Sequence, residues 1–156
     1  KNQILGLRYF NVYGPQENHK GRMASVAFHL FHQLKEAGKM RLFEGSENFR
    51  RDFIHVNDIV KINLHFYESK SSGIFNAGTG KARSFEEIAT FFQNFHGSGE
   101  IESIPFPEDL LGKYQQFTEA GLENLRDAGY CSELISLEDG IQQYYELLSE
   151  TDGRYV

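Results

Sequence analysis

The chain of 156 residues is long enough for one domain with a sizeable core, and its 40% hydrophobic and 24% charged content is that of an ordinary globular protein. A net charge of -6 at pH 7 argues against nucleic acid or an anionic membrane surface as the main partner. Cys131 is the single cysteine, so no internal disulfide can form, which fits a reducing, cytoplasmic setting. No apolar run reaches the length of a membrane span, and no signal-peptide pattern precedes the first strand.

Residues 3–10 are nearly continuously apolar and predict a strand of a parallel sheet covered on both faces, ended by Gly14-Pro15. Lys1 is not a start methionine and the strand pattern is already under way at Ile4, so the chain is expected to be a piece of a longer protein. Met23, Val26, Ala27, Leu30, Leu34 and Ala37 recur at helical spacing and predict a helix over 22–37, stopped by Gly38. A short strand over 40–44 leads into the polar loop "EGSENFRRD", and 52–56 alternate as a strand. Asn57 or Asp58 is expected to cap the next helix, which runs to about Glu68.

"GIFNAGTG" at 73–80 is an apolar strand running into glycines. Ser84-Phe85-Glu86-Glu87 is a capping box that opens a helix to about His96. A strand over 101–106 ends at Pro105 and Pro107, and Thr118 is expected to cap a short helix that stops at Gly129. Ser136 opens the last helix, with Leu137, Ile141, Tyr144, Tyr145 and Leu148 as its inner stripe, and "TDGRYV" reads as a loose tail. The alternation of strands and helices points to an α/β fold.

"NAGTGKA" misses the Walker pattern, because Phe75 and Ala82 replace the required Gly and Ser/Thr. It also misses G-x-G-x-x-G, since Arg83 stands at the third glycine, so a tight turn is favoured over a phosphate cradle. His19, His29 and His32 have no acidic partner at ligand spacing, and no metal site is expected. Arg22, Ser25 and His29 fall on one edge of the predicted helix near its positive end, which suits either an anion site or a solvated face. Arg50 and Arg51, and then Lys113 with Tyr114, repeat the pairing of a basic group with an aromatic neighbour. Three such segments together suggest a nucleotide-sugar pocket.

"LRYFNVYGP" resembles a sheet strand of the extended short-chain dehydrogenase/reductase superfamily. Within it, "RYFNVYGPQENHKGRMASVAFH", "LFEGSENFRRDF", "IFNAGTG" and "IPFP…YQQFT" resemble the ADP-glyceromanno-heptose 6-epimerases from about residue 4 to the last helix. The resemblance implies the C-terminal part of a Rossmann-type NAD(P)-binding fold plus a smaller α/β substrate-binding domain. Residues 1–20 and 52–80 would belong to the Rossmann domain, and 21–51 and 81–156 mainly to the substrate-binding domain. It implies inversion of C6 in an ADP-sugar by transient oxidation with NADP, for the inner core of lipopolysaccharide, in a homo-oligomeric cytoplasmic enzyme. NADP would be bound mainly by an N-terminal half, which would also carry the GxxGxxG loop and a Tyr-x-x-x-Lys pair. This chain contains no Tyr-x-x-x-Lys, and on its own it is expected to be inactive.

Carried over residue by residue, the resemblance makes Lys20 the second acid/base, also near the cofactor, with Val12 on the cofactor and Asn11 on the substrate. His29 would contact the ADP-sugar, Phe43, Glu44, Gly45 and Ser46 would line the nucleotide, Arg51 would bind phosphate, and Tyr114 would close the pocket. Arg22 departs from the family, which usually has Ser there; it would reach a phosphate or point to solvent. The alternatives are another nucleotide-sugar epimerase or dehydratase of the superfamily, or a non-catalytic nucleotide-binding module.

Overall fold

The structure is a computed structural model that describes residues 2–108 and 114–154. Strand β1 (Leu5–Tyr9) pairs in parallel with β5 (Gly73–Ala77), Leu5 opposite Gly73. At Phe10 the chain changes partner: its N–H donates to the Ala77 carbonyl at 3.0 Å, and β2 (Asn11–Tyr13) then runs parallel to β4 (Arg50–His55). The strand expected over 3–10 is β1, and a second strand, β2, follows it into another sheet before Gly14. A third strand, β6 (Ala82–Ser84), joins β4 antiparallel, with Arg51 opposite Arg83. Separately, β3 (Lys39–Phe43) pairs in parallel with β7 (Glu100–Ile104).

Strand β4 divides two cores, because successive side chains of a strand point to opposite faces. Phe53 faces a core built from Leu30, Phe31 and Leu34 of α1 (Val26–Ala37), Ile88 and Phe92 of α3 (Phe85–His96), and Ile141, Tyr144 and Leu148 of α5 (Leu137–Thr151). Ile54 faces the other, with Ile59, Ile62 and Phe66 of α2 (Val56–Ser69), Phe75 of β5, and Leu125 of α4 (Glu123–Asp127). The inner stripe expected for α5 is the observed one, although Tyr145 is only partly buried. No helix among the described residues is long and apolar enough to cross a membrane.

Local signals held where they depend only on neighbours in sequence. The capping box at Ser84 and Glu87 is formed in both directions, and the Ser136 hydroxyl accepts from the Asp139 N–H. Each is worth about 1 kcal/mol to its helix.

Other expectations require correction. Helix α1 begins at Val26, because Ser25 is its N-cap and the preceding Asn18–Met23 form a 3₁₀ segment kinked at Gly21. Arg22 therefore shares no helical edge with His29, and Met23 is 85% exposed instead of lying on the apolar stripe. Neither Asn57 nor Asp58 caps α2; His55 does, its Nδ1 accepting from the Asn57 N–H at 3.3 Å. Asp58 is buried and accepts from Lys61 Nζ at 3.1 Å and the Ile135 N–H at 2.7 Å. Thr118 caps nothing: its N–H donates to the Arg50 carbonyl at 3.0 Å and its hydroxyl accepts from the Asp52 N–H at 3.3 Å. The expected polar loop is cut short, since Arg50 and Arg51 already belong to β4. The C-terminal segment is anchored through residue 153: Gly153 is buried and its carbonyl accepts from the Gln16 N–H at 3.0 Å.

Candidate active site

Gly14 ends β2 with φ 137°, a conformation that favours glycine, and releases the chain into the loop that carries Glu17 and Lys20. That loop forms one wall of a cleft of about 310 Å³. Asn11 and Val12 line it from the strand, Lys20 from the loop, and Phe53 and Phe85 from the floor. The cleft opens beside Phe10, just past the C-terminal end of β1 and at the start of the parallel pair β2 and β4.

Lys20 is held at the cleft by a carboxylate that sequence reasoning passed over. Glu17 is 2% exposed, yet its charge is surrounded by donors. Lys20 Nζ reaches Oε1 at 3.2 Å and the Ser25 N–H reaches the same oxygen at 2.9 Å. The Ser25 hydroxyl donates to Oε2 at 2.6 Å and Tyr144 Oη donates to it at 3.1 Å. A buried carboxylate is tolerated only when it is satisfied in this way. Burial, reinforced by the Glu17 charge, pushes the Tyr144 phenol well above its ordinary value, so it stays a donor. No signal in the sequence marks Glu17 as buried; its partners lie 3, 8 and 127 residues away.

A second group of predicted residues gathers beside the cleft. Arg51 is 6% exposed, and its guanidinium lies over the Tyr114 ring at 5.2 Å and the Phe85 ring at 5.9 Å. Among the described residues no carboxylate pairs with it, which leaves its remaining donors for an anion. Tyr114 also packs on Phe49 at 5.1 Å and on Phe106 at 5.5 Å, and Phe106 meets Phe43 at 5.4 Å. Gly45, at φ 80°, makes the left-handed turn from Glu44 into the buried Ser46. Phe85 belongs to both groups, since it lines the Lys20 cleft and underlies Arg51.

Two predicted residues stand apart. His29 lies on the first turn of α1 beside Phe28, outside the cleft lining, and Arg22 is exposed on the 3₁₀ segment without a described partner. Lys113 lies outside the described residues. Among the described residues no group of three potential metal ligands is assembled.

The glycine turn after β5 is no phosphate cradle, as its sequence implied. Its amides already hold an anion belonging to the protein. The Thr79 and Gly80 N–H groups donate to the Asp52 carboxylate at 2.7 and 2.8 Å, and the Ala120 N–H joins them at 3.0 Å. A Cβ on Gly78 would stand 2.7 Å from Asp52 Oδ2, so the close approach requires glycine.

The chain belongs to the NAD dependent epimerase/dehydratase family, whose model matches residues 1–78. The ADP-L-glycero-D-manno-heptose-6-epimerase of Brachyspira hyodysenteriae is 56% identical over 152 residues, 97% of this chain and 48% of that protein. The crystal structure of the Helicobacter pylori ADP-L-glycero-D-manno-heptose-6-epimerase superposes with a TM-score of 0.84 at 32% identity, covering 96% of this chain and 45% of that one. The UDP-glucose 4-epimerase of Thermotoga maritima, solved with UDP-glucose, gives 0.79 at 25% identity over 94% and 46% of the two chains. The chain thus spans about half the length of the relatives it matches.

Proposed function

We propose that this chain is the substrate-binding half of an ADP-heptose 6-epimerase, which inverts C6 of ADP-glycero-manno-heptose by transient NADP-dependent oxidation and so supplies lipopolysaccharide synthesis. The observation that carries the reading is Lys20, fixed at a cleft between Asn11 and Val12 with Arg51 one aromatic ring away. The high identity to the Brachyspira protein supports the heptose substrate.

Inverting a carbon through a planar intermediate requires a proton donor or acceptor on each face of the sugar, and Lys20 is the group this chain offers. When bound, the nicotinamide supplies the hydride chemistry. Val12, half-buried in the middle of β2, would lie against that cofactor, and Asn11, exposed beside it, would hydrogen-bond the sugar. Arg51 would take a phosphate of the ADP group, with Phe43, Glu44, Gly45, Ser46 and Tyr114 around the nucleotide and His29 and Arg22 at its margin. Residues 1–20 and 52–80 would complete a Rossmann domain with the other half of the enzyme, and the remainder would form the substrate domain.

Incubating the full-length enzyme with ADP-glycero-manno-heptose and following the C6 proton by NMR tests the reading. Appearance of the C6 epimer is expected. Conversion only of a different nucleotide sugar would overturn it.

A further inference from the structure

We infer that Glu17 is a positioning residue for the reaction: it aims Lys20 into the cleft and couples the catalytic loop to helix α5 through Tyr144. The inference rests on the reading of Lys20 as an acid/base. A lysine on a surface loop samples many rotamers, and catalysis needs one. Glu17 removes that freedom because it is itself immobile. Its two oxygens are claimed by the Ser25 N–H and hydroxyl, at the start of α1, and by Tyr144, in the middle of α5. Ser25 serves twice, since the same hydroxyl accepts from the Phe28 N–H at 3.2 Å and caps α1. The loop is thereby registered against two helices of the main core. Lys20 spends one of its three N–H donors on Glu17, and its side chain remains 39% exposed toward the cleft.

A buried ionic contact that only holds elements together is often replaced by well-packed apolar groups at little cost. Glu17 instead lines the cleft beside the lysine it holds. The arrangement matches the supporting shell that a precise catalytic group requires.

The test is steady-state kinetics of Glu17→Gln in the full-length enzyme, with melting temperature measured alongside. The amide keeps the shape and removes the charge that fixes Nζ. A fall in kcat of about 10²-fold is expected, with KM and melting temperature unchanged. Wild-type kcat, or a fall in kcat matched by a rise in KM and a loss of melting temperature, would overturn the inference. Should Glu17→Gln fail to fold, Tyr144→Phe decides. It removes one hydrogen bond to Glu17 and keeps the buried ring, so kcat should fall about three- to tenfold, whereas wild-type kcat would overturn the inference. Lys20→Met serves as the control. If Lys20→Met itself retains kcat, the acid/base reading fails; if it is inactive while a folded Glu17→Gln is not, only the role of Glu17 fails.

Discussion

Arg83 grips both carboxylate oxygens of Glu138, at 2.8 and 3.3 Å, and so ties β6 to the first turn of α5. The same guanidinium reaches Glu87 on α3 through Nε at 2.8 Å. One cation thus fastens two helices to the strand that lies against Arg51.

The hydrogen bond from Arg83 holds the Glu138 carboxyl below its ordinary value of 4.5, against a smaller opposing effect of burial. A carboxyl depressed in the fold adds stability that is complete above its unfolded value and is lost as pH falls through its folded value. Stability should therefore decline as pH drops below about 4.5. Both partners are partly exposed, at 24% and 47%, so Glu138→Gln should cost only about 0.5–1 kcal/mol at neutral pH. Urea denaturation at several pH values checks this. Glu138→Gln should show a shallower acid decline than the wild type, and an identical decline would contradict the assignment.

Asp52→Ala should be far more damaging. Asp52 is fully buried and collects three backbone N–H donors and the Thr79 hydroxyl, so it fastens the turn after β5 to the segment before α4. Its loss strands all of these donors, at a cost of about 3–5 kcal/mol. A variant within about 1 kcal/mol of wild type by denaturant titration would contradict the account.

What the sequence disclosed and what it hid divide along one physical line. Ser84, Ser136 and the inner stripe of α5 were legible because caps and helical spacing are set by residues three or four apart. Thr118 looked like a cap by the same local rule, but β4 claims it across 66 residues through Asp52. Glu17 looked like one more polar loop residue, and only the fold brings Tyr144 to it. Asn11 and Val12 of β2 and Lys20 of the following loop were found through family resemblance, and the geometry gathers them in one cleft. The same resemblance named His29 and Arg22, which the geometry leaves outside that lining.

His55 should make the start of α2 sensitive to mild acid. Burial depresses its imidazole below the ordinary 6.5, with Asp58 opposing and Lys61 assisting. The neutral ring is also the form whose Nδ1 can accept from Asn57. A depressed histidine leaves stability complete above 6.5 and erodes it as pH falls from there toward the folded value. Amide exchange at Asn57, corrected for intrinsic rate, should lose protection as pH falls below 6.5. Unchanged protection would contradict the capping role.

The chain studied alone should self-associate. Ile4, Tyr9 and Ile74 are exposed on and beside β1 and β5, and Val60, Leu64 and Tyr67 are exposed on α2. Apolar surface beside an open strand edge invites pairing between copies. Light scattering of the 156-residue chain should show mass rising with concentration, and Ile74→Lys should reduce it. A clean monomer at high concentration would contradict this.

The central claim is that Lys20 transfers a proton and Arg51 binds, and one comparison separates the two roles. In the full-length enzyme, Lys20→Met should lower kcat by about 10²–10⁴-fold or more with the fold retained, because a proton-transfer group acts in the transition state. Arg51→Met should instead raise KM and leave kcat nearly intact, as expected for a lost phosphate contact. Steady-state kinetics of the two variants on ADP-glycero-manno-heptose is the most direct test. The account predicts that split; a folded Lys20→Met enzyme with wild-type kcat would contradict it.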